Sequence, residues 1–203
     1  MDDSLYSPDD GLTGAKILAS AVEAIAARGY HGTSIRDIAA IAKVSSGSIY
    51  HHFGSKHDLL VTIINRGGAA LLAATEQALF DAPNEPAERL KAIVRIHVGR
   101  HAQYSKESLI GNSELRSLSP SARELVVSQR DGQQRMFDRV VIDGVEKGVF
   151  LAPDPIEAAR FISSACTAVA GWFNPKGPAT VDEIIERYQR VALNAVQYQG
   201  PGR

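Results

Sequence analysis

The polar side chains most densely grouped for chemistry lie between positions 45 and 52, where Ser45-Ser46-Gly47-Ser48 is followed by Tyr50, His51 and His52. Short hydroxyls, a glycine and imidazoles near a helix start suit the reading of base edges in a DNA groove. Tyr50, Thr33 and Lys56 are the groups long or exposed enough to reach phosphate oxygens. Covalent catalysis would need a nucleophile beside an oriented base, and no nucleophile elbow, phosphate loop or metal-ligand signature is present. Adjacent residues on a helix point in different directions, so His51 and His52 do not make a metal pair. The chain is therefore read as having no metal site, no cofactor and no enzymatic activity. Cys166 stands alone in Ser163-Ser164-Ala165-Cys166-Thr167-Ala168; it reads as a small buried hydrophobe, with thiol-based redox sensing as the alternative. His97, His101 and Tyr104 recur at helical spacing and could line a pocket.

The elements that must position these groups are helices. Apolar residues recur at three- and four-residue intervals nearly throughout, and alternating runs bounded by turns are scarce. The pattern predicts helices over 12–28, 35–41, 45–53 and 56–80, then near 86–103, 107–117, 120–147, 154–173 and 179–198. Gly29, Gly54 and the linker Asp81-Ala82-Pro83-Asn84-Glu85-Pro86 are stop signals, Gly111-Asn112 is a further break, and Gly144 falls inside a predicted helix. At 203 residues and 44% hydrophobic the chain can bury a sizeable core. Its net charge of −1 offers no global attraction for nucleic acid, and residues 11–60 carry five lysines and arginines against three acids, so any DNA footprint is local. The N-terminus has neither the basic lead nor the apolar run of a secretory signal, the apolar stretches are short for a membrane span, and no disulfide is possible with one cysteine. The expectation is a soluble, cytoplasmic protein without a membrane partner.

Within 33–53, Ile35, Ile38 and Ala39 supply the apolar face of one short helix, Ala42 and Val44 pack the turn, and Ile49 with Phe53 pins a second helix. Its other face carries Ser46, Gly47, Ser48, Tyr50, His51 and His52. The segment resembles the TetR family of repressors. The family pattern T-[ST]-x-x-x-I-A-x-x-A-x-V-S-x-G-x-x-Y-x-H-F-x-S-K-x-x-L is met by Thr33-Ser34, Ile38-Ala39, Ala42, Val44-Ser45, Gly47, Tyr50, His52-Phe53, Ser55-Lys56 and Leu59. Ser46 stands where many relatives carry a basic residue or proline, and His57 replaces a frequent acid. The resemblance implies an all-α protein: an N-terminal three-helix helix-turn-helix domain, then a C-terminal helical ligand-binding and dimerisation domain. The boundaries are a flexible acidic tail over 1–10, the DNA-binding domain over 11–54 and the ligand-binding and dimerisation domain over 55–203. The DNA-contacting set is Thr33, Ser34, Ser45, Ser46, Gly47, Ser48, Tyr50, His51 and Lys56.

The resemblance further implies a homodimer built by the last two helices. Independently, the apolar residues from Ala158 to Phe173 cover more of a helix than one core-facing stripe requires. Phe161, Ala165, Val169 and Trp172 on that helix, with Tyr188, Val191 and Ala195 on the next, form the candidate dimer interface. Two reading heads about 34–36 Å apart would dock on a palindromic operator in double-stranded DNA. Glu114 to Pro120, Arg130, Gln134, Arg135, Phe137, Gly144, Gly148-Val149-Phe150 and Trp172 to Pro175 resemble the part of the family associated with fatty-acid, sterol and acyl-CoA metabolism. That likeness implies a small hydrophobic effector, a fatty acyl-CoA or sterol-derived CoA thioester, that releases the repressor from DNA. Candidate ligand residues are His97, His101, Tyr104, Arg116, Arg130, Gln134, Phe137 and Trp172, the arginines because guanidinium pairs bidentately with phosphate. A drug-responsive repressor of an efflux or detoxification gene and a DNA binder without ligand control are the alternatives.

Overall fold

Three helices of the first half begin where a serine hydroxyl takes up an otherwise unpaired backbone N–H group. The computed structural model describes Leu5 and residues 10–200, and over these residues the secondary structure is helical. α1 spans Gly11–Arg28, α2 Ile35–Ala42, α3 Ser46–Phe53 and α4 Lys56–Asp81. Ser34 and Asp37 form a reciprocal capping box at the start of α2. The Ser45 hydroxyl accepts from the Ser48 N–H at 3.1 Å to start α3, and Ser55 accepts from the Asp58 N–H at 3.0 Å to start α4. Gly54, with φ +70°, ends α3 in a conformation that side chains other than glycine rarely adopt.

The second half consists of α5 (Pro86–Gln103), α6 (Ser105–Ser113), a one-turn 3-10 helix (Glu114–Ser117), α7 (Pro120–Glu146), α8 (Pro155–Trp172) and α9 (Val181–Ala195). One local expectation changes: Gly111 does not break a helix but lies within α6, and the turn tightens only at Glu114. Gly144 is helical inside α7, as the pattern predicts, and the Phe150 ring occupies the space where a β-carbon would project, which explains the glycine there.

The chain packs as two units. The first comprises residues up to Ala70 with Lys106–Ser128; the second comprises Leu71–Ser105 and the chain from Gln129 onward. The first thus extends past the sequence boundary at 54/55. The reason is shared burial: Leu59, Leu60 and Ile63 of α4, Ile110 of α6, and Val126 of α7 join Ile17, Ile25, Ile38 and Ile49 in one core. The second core gathers Leu90, Ile93 and Val94 of α5, Phe137 and Val141 of α7, Ile162, Cys166 and Val169 of α8, and Ile184 and Ile185 of α9. By length and composition α4 could cross a membrane, yet its Leu59, Leu60, Ile63 and Ile64 are buried in the first core.

Of the acidic tail assigned to 1–10, residues 1–4 and 6–9 lie outside the described residues. Leu5 and Asp10 are not loose. Leu5 is buried, and Arg66 of α4 grips the Asp10 carboxylate with both Nη atoms, one of them at 3.0 Å, while donating to the Leu5 carbonyl at 3.2 Å.

Candidate nucleic-acid interface and effector-binding unit

α2 and α3 are short, so their rigidity comes from what they bury. Ile38, Ala39 and Ala42 of α2 and Ile49 of α3 turn inward. The small side chains at 39 and 42 let α1, α2 and α3 approach closely. What α3 leaves outward is polar: Ser45, Gly47, Tyr50, His51 and His52 are exposed, and Ser46 and Ser48 partly so. His52 lies beside α1, close enough that a β-carbon on Gly14 would meet its Nδ1 at 3.5 Å. Tyr50 and His51 are the other large exposed groups of α3. Ser34 is exposed at the start of α2, but its hydroxyl donates to Asp37 at 2.6 Å. These bonds hold the Asp37 carboxylate below its ordinary range.

Two residues of the expected DNA-contacting set do a different job. Thr33 is 2% exposed, and its hydroxyl lies 3.1 Å from the Ala24 carbonyl and 2.9 Å from that of Gly29. A hydroxyl has one proton, and here carbonyls of the protein take it, so Thr33 does not reach phosphate. Lys56 donates to the carbonyls of Tyr30 at 3.0 Å and Thr33 at 2.8 Å, and its ammonium lies 4.2 Å above the Tyr30 ring. Lys56 fastens the loop that leads into α2.

That loop has a second fastening with no local signal in the sequence. Glu114 accepts from the Tyr30 backbone N–H at 3.1 Å through one oxygen and from the Ser117 hydroxyl at 2.8 Å through the other. Next to it, the Ser119 N–H donates to His57 Nε2 at 3.1 Å. Burial, with Asp58 and Glu114 nearby, pushes the Tyr30 phenol above its ordinary pKa.

In the second unit, His97 and His101 are both buried and stack at 4.5 Å with ring planes 5° apart. Phe137 meets His97 edge-on at 5.4 Å. His97 Nε2 lies 2.8 Å from the Thr167 hydroxyl, and its Nδ1 lies 3.3 Å from the amide nitrogen of Gln133. That nitrogen also donates to the Thr75 hydroxyl at 3.0 Å. Burial, seconded by the neighbouring His101, holds His97 well below the usual histidine pKa; burial also lowers that of His101, with Arg100 and Arg130 acting in the same direction. Both rings are neutral near pH 7. Gln134 sits one residue away, accepting from Ser163 at 2.6 Å and donating to Asp138 at 2.7 Å. Tyr104 caps α5 with the Arg100 guanidinium 5.0 Å from its ring. Arg130 lies on the exposed side of α7, and lost hydration lowers its pKa.

Of the expected ligand set, then, His97, His101 and Phe137 come together. Arg116 is exposed on the 3-10 turn and belongs to the first unit, whereas these three belong to the second. Trp172 is half exposed and stacks on Tyr188 of α9 at 6.2 Å, on the outer face of α8. Gln133, Thr75 and Thr167, none of them expected, complete the buried polar cluster. Cys166 is buried with its thiol pushed up to about 12, so it carries almost no thiolate for redox chemistry.

The expected dimer stripe is largely open. Phe161 is 62% exposed, Trp172 50% and Val191 55%, with Ala165, Tyr188 and Ala195 partly exposed between them. Val169 is the correction: it is fully buried in the chain's own core and has no surface left to give a partner.

Comparison with known proteins gives two family matches. Residues 17–63 match the bacterial regulatory proteins of the tetR family, and residues 83–196 match the tetracyclin repressor-like C-terminal domain. The chain is 29% identical over 187 residues to the HTH-type transcriptional repressor KstR2 of Mycobacterium tuberculosis, covering 91% of this chain and 93% of that protein. A tetR-family regulatory protein from Rhodococcus RHA1 superposes with a TM-score of 0.84 at 34% identity, over 92% of this chain and 97% of the other. AibR in complex with isovaleryl coenzyme A and operator DNA superposes with a TM-score of 0.78 at 26% identity, over 87% and 96%.

Proposed function

The chain belongs to the TetR family of bacterial regulatory proteins and is a transcriptional regulator rather than an enzyme; on that premise we propose that it is a cytoplasmic, homodimeric repressor released from a palindromic operator by an acyl-CoA-like effector. The observation that carries the DNA-binding half is the outward face of α3, where Ser45, Gly47, Tyr50 and His51 are exposed on a helix whose inner face is pinned by Ile49. A helix of this kind lies in the major groove, where its hydroxyls and imidazole reach base edges.

The dimer reading is supported by the exposed stripe of Phe161, Ala165 and Trp172 on α8 and Tyr188, Val191 and Ala195 on α9. Large apolar side chains left uncovered on two neighbouring helices suit a four-helix bundle with a second copy. The effector half rests on the buried polar cluster around His97 and on the likeness to AibR, a protein seen with isovaleryl coenzyme A. α4 and α7 each run without a break from one unit into the other. An effector that reshapes the second unit thus pulls on continuous backbone that also holds the helix-turn-helix. A coupling of about 1–3 kcal/mol, roughly 5–150-fold in affinity, suffices for induction.

The test is gel-shift binding of the purified protein to DNA flanking its own gene, with and without a panel of acyl-CoA thioesters, free fatty acids and hydrophobic drugs. Release by acyl-CoA thioesters alone is expected. Release by the drugs alone would replace the lipid reading with a detoxification one, and binding that no compound alters would leave a regulator without ligand control.

A further inference from the structure

The buried cluster of the second unit has one polar atom too many. Gln133 is 7% exposed, and its side-chain oxygen, Oε1, is buried without a hydrogen-bond partner. The orientation of the amide follows from donor counting. The Thr75 hydroxyl gives its proton to the Leu71 carbonyl at 2.9 Å, and the Thr167 hydroxyl gives its own to the Ser163 carbonyl at 3.0 Å. Each hydroxyl has then only lone pairs to offer. Thr167 must therefore receive the Nε2 proton of His97, which leaves His97 Nδ1 as an acceptor. The amide nitrogen of Gln133 fills both remaining needs, donating to Thr75 at 3.0 Å and to His97 Nδ1 at 3.3 Å. Every proton in the cluster is assigned, and the amide oxygen alone is unmet. Such an atom is costly in a folded protein, and natural cores rarely keep one.

The geometry points to Gln133 Oε1 as the specificity-determining contact for the effector, accepting a hydrogen bond from a hydroxyl on the effector's otherwise apolar part. This rests on the reading that the second unit takes an effector, and it narrows the class. A ketone in that place would set two acceptors against each other, because the donors of Gln133 and His97 are already engaged. A carboxylate would do worse beside the neutral rings. An unsubstituted acyl chain would leave the oxygen as it is. The His97 ring that takes the Gln133 amide nitrogen at 3.3 Å is itself packed against His101 and Phe137, so the amide borders flat aromatic groups. The preferred ligand is thus the alcohol rather than its ketone or deoxy counterpart, a hydroxyacyl group.

The experiment compares matched compounds that differ only at that position: 3-hydroxy-, 3-oxo- and unsubstituted acyl-CoA thioesters from four to sixteen carbons, and the same three forms of the free acids. Binding is read by thermal shift and by release from operator DNA. At one chain length the hydroxy form is expected to bind about tenfold tighter than the other two, and Gln133→Met should abolish that preference while still binding the unsubstituted form. The operator affinity of Gln133→Met without ligand reports whether the variant folds; if it does not, the wild-type comparison decides alone. Release by all three thioesters at equal concentrations would overturn the inference and leave the acyl-CoA reading standing. A hydroxyl preference seen only among the free acids would keep the inference and remove the CoA. No shift with any compound would overturn it.

Discussion

At the scale of single residues, the helix-turn-helix separates groups that read from groups that hold. Tyr50 is 53% exposed and Lys56 is tied to two backbone carbonyls. Tyr50→Ala should therefore weaken operator binding and flatten its salt dependence with no change in melting temperature. Lys56→Ala should lower the melting temperature by an amount matching about 1–3 kcal/mol, because the carbonyls of Tyr30 and Thr33 lose the ammonium that both accept from. A Lys56→Ala protein with unaltered melting but a flatter salt slope would return Lys56 to the phosphate-contacting set. The histidine stack makes a second prediction. An unfolded histidine titrates near 6.5, and burial sets His97 and His101 below that in the folded chain. Below pH 6.5 the unfolded chain then binds more protons than the folded one, so stability falls with acidification until the folded pKa values are passed. Protonating His97 would also set a cation against His101, with Arg100 and Arg130 close by. Urea melts between pH 7 and 5 should show this loss, and His97→Gln should reduce its slope; an unchanged slope would mean that other groups carry it.

At the scale of helices, two glycines give opposite signs to the same substitution. Alanine in place of a mid-helix glycine gains roughly 0.5–1 kcal/mol from backbone entropy alone. At Gly111 in α6 a β-carbon meets open space, so Gly111→Ala should stabilise by about that much. At Gly144 in α7 it would drive into the ring of Phe150, a side chain 1% exposed in the second core. Overpacking costs typically about 1–3 kcal/mol, which exceeds the entropic gain. Gly144→Ala should thus lower the denaturant midpoint, and a further Phe150→Leu change should restore part of it. Equal gains at both positions would show that Phe150 moves aside freely.

At the scale of the whole molecule, the open stripe on α8 and α9 predicts assembly. Phe161→Glu or Val191→Glu should convert a dimer to monomers in sedimentation without unfolding the chain, since both side chains are more than half exposed within it. Loss of binding to a full palindrome should accompany the change, as two heads are needed to span both half-sites. A dimer that survives both substitutions would place the interface elsewhere. A charge at Val169 would instead be expected to unfold the protein, because that side chain is in the core.

The sequence by itself determined the helices, their caps and the face of α3 that is left polar. Those signals act over three or four residues: Ser34 with Asp37, Ser45 with Ser48, and Ile49 with Phe53 all lie within one helical turn. Only the tertiary structure decided what the polar groups do once buried. Thr33 and Lys56 match the family pattern at every position, yet the carbonyls that engage them belong to loop and helix residues up to 26 positions away. Glu114 lies 84 residues from the amide it holds, and Gln133 lies 58 from Thr75 and 36 from His97. Composition and periodicity carry no record of such pairings. Donors and acceptors are assigned to one another only when the helices have packed and excluded the water that would otherwise serve them all.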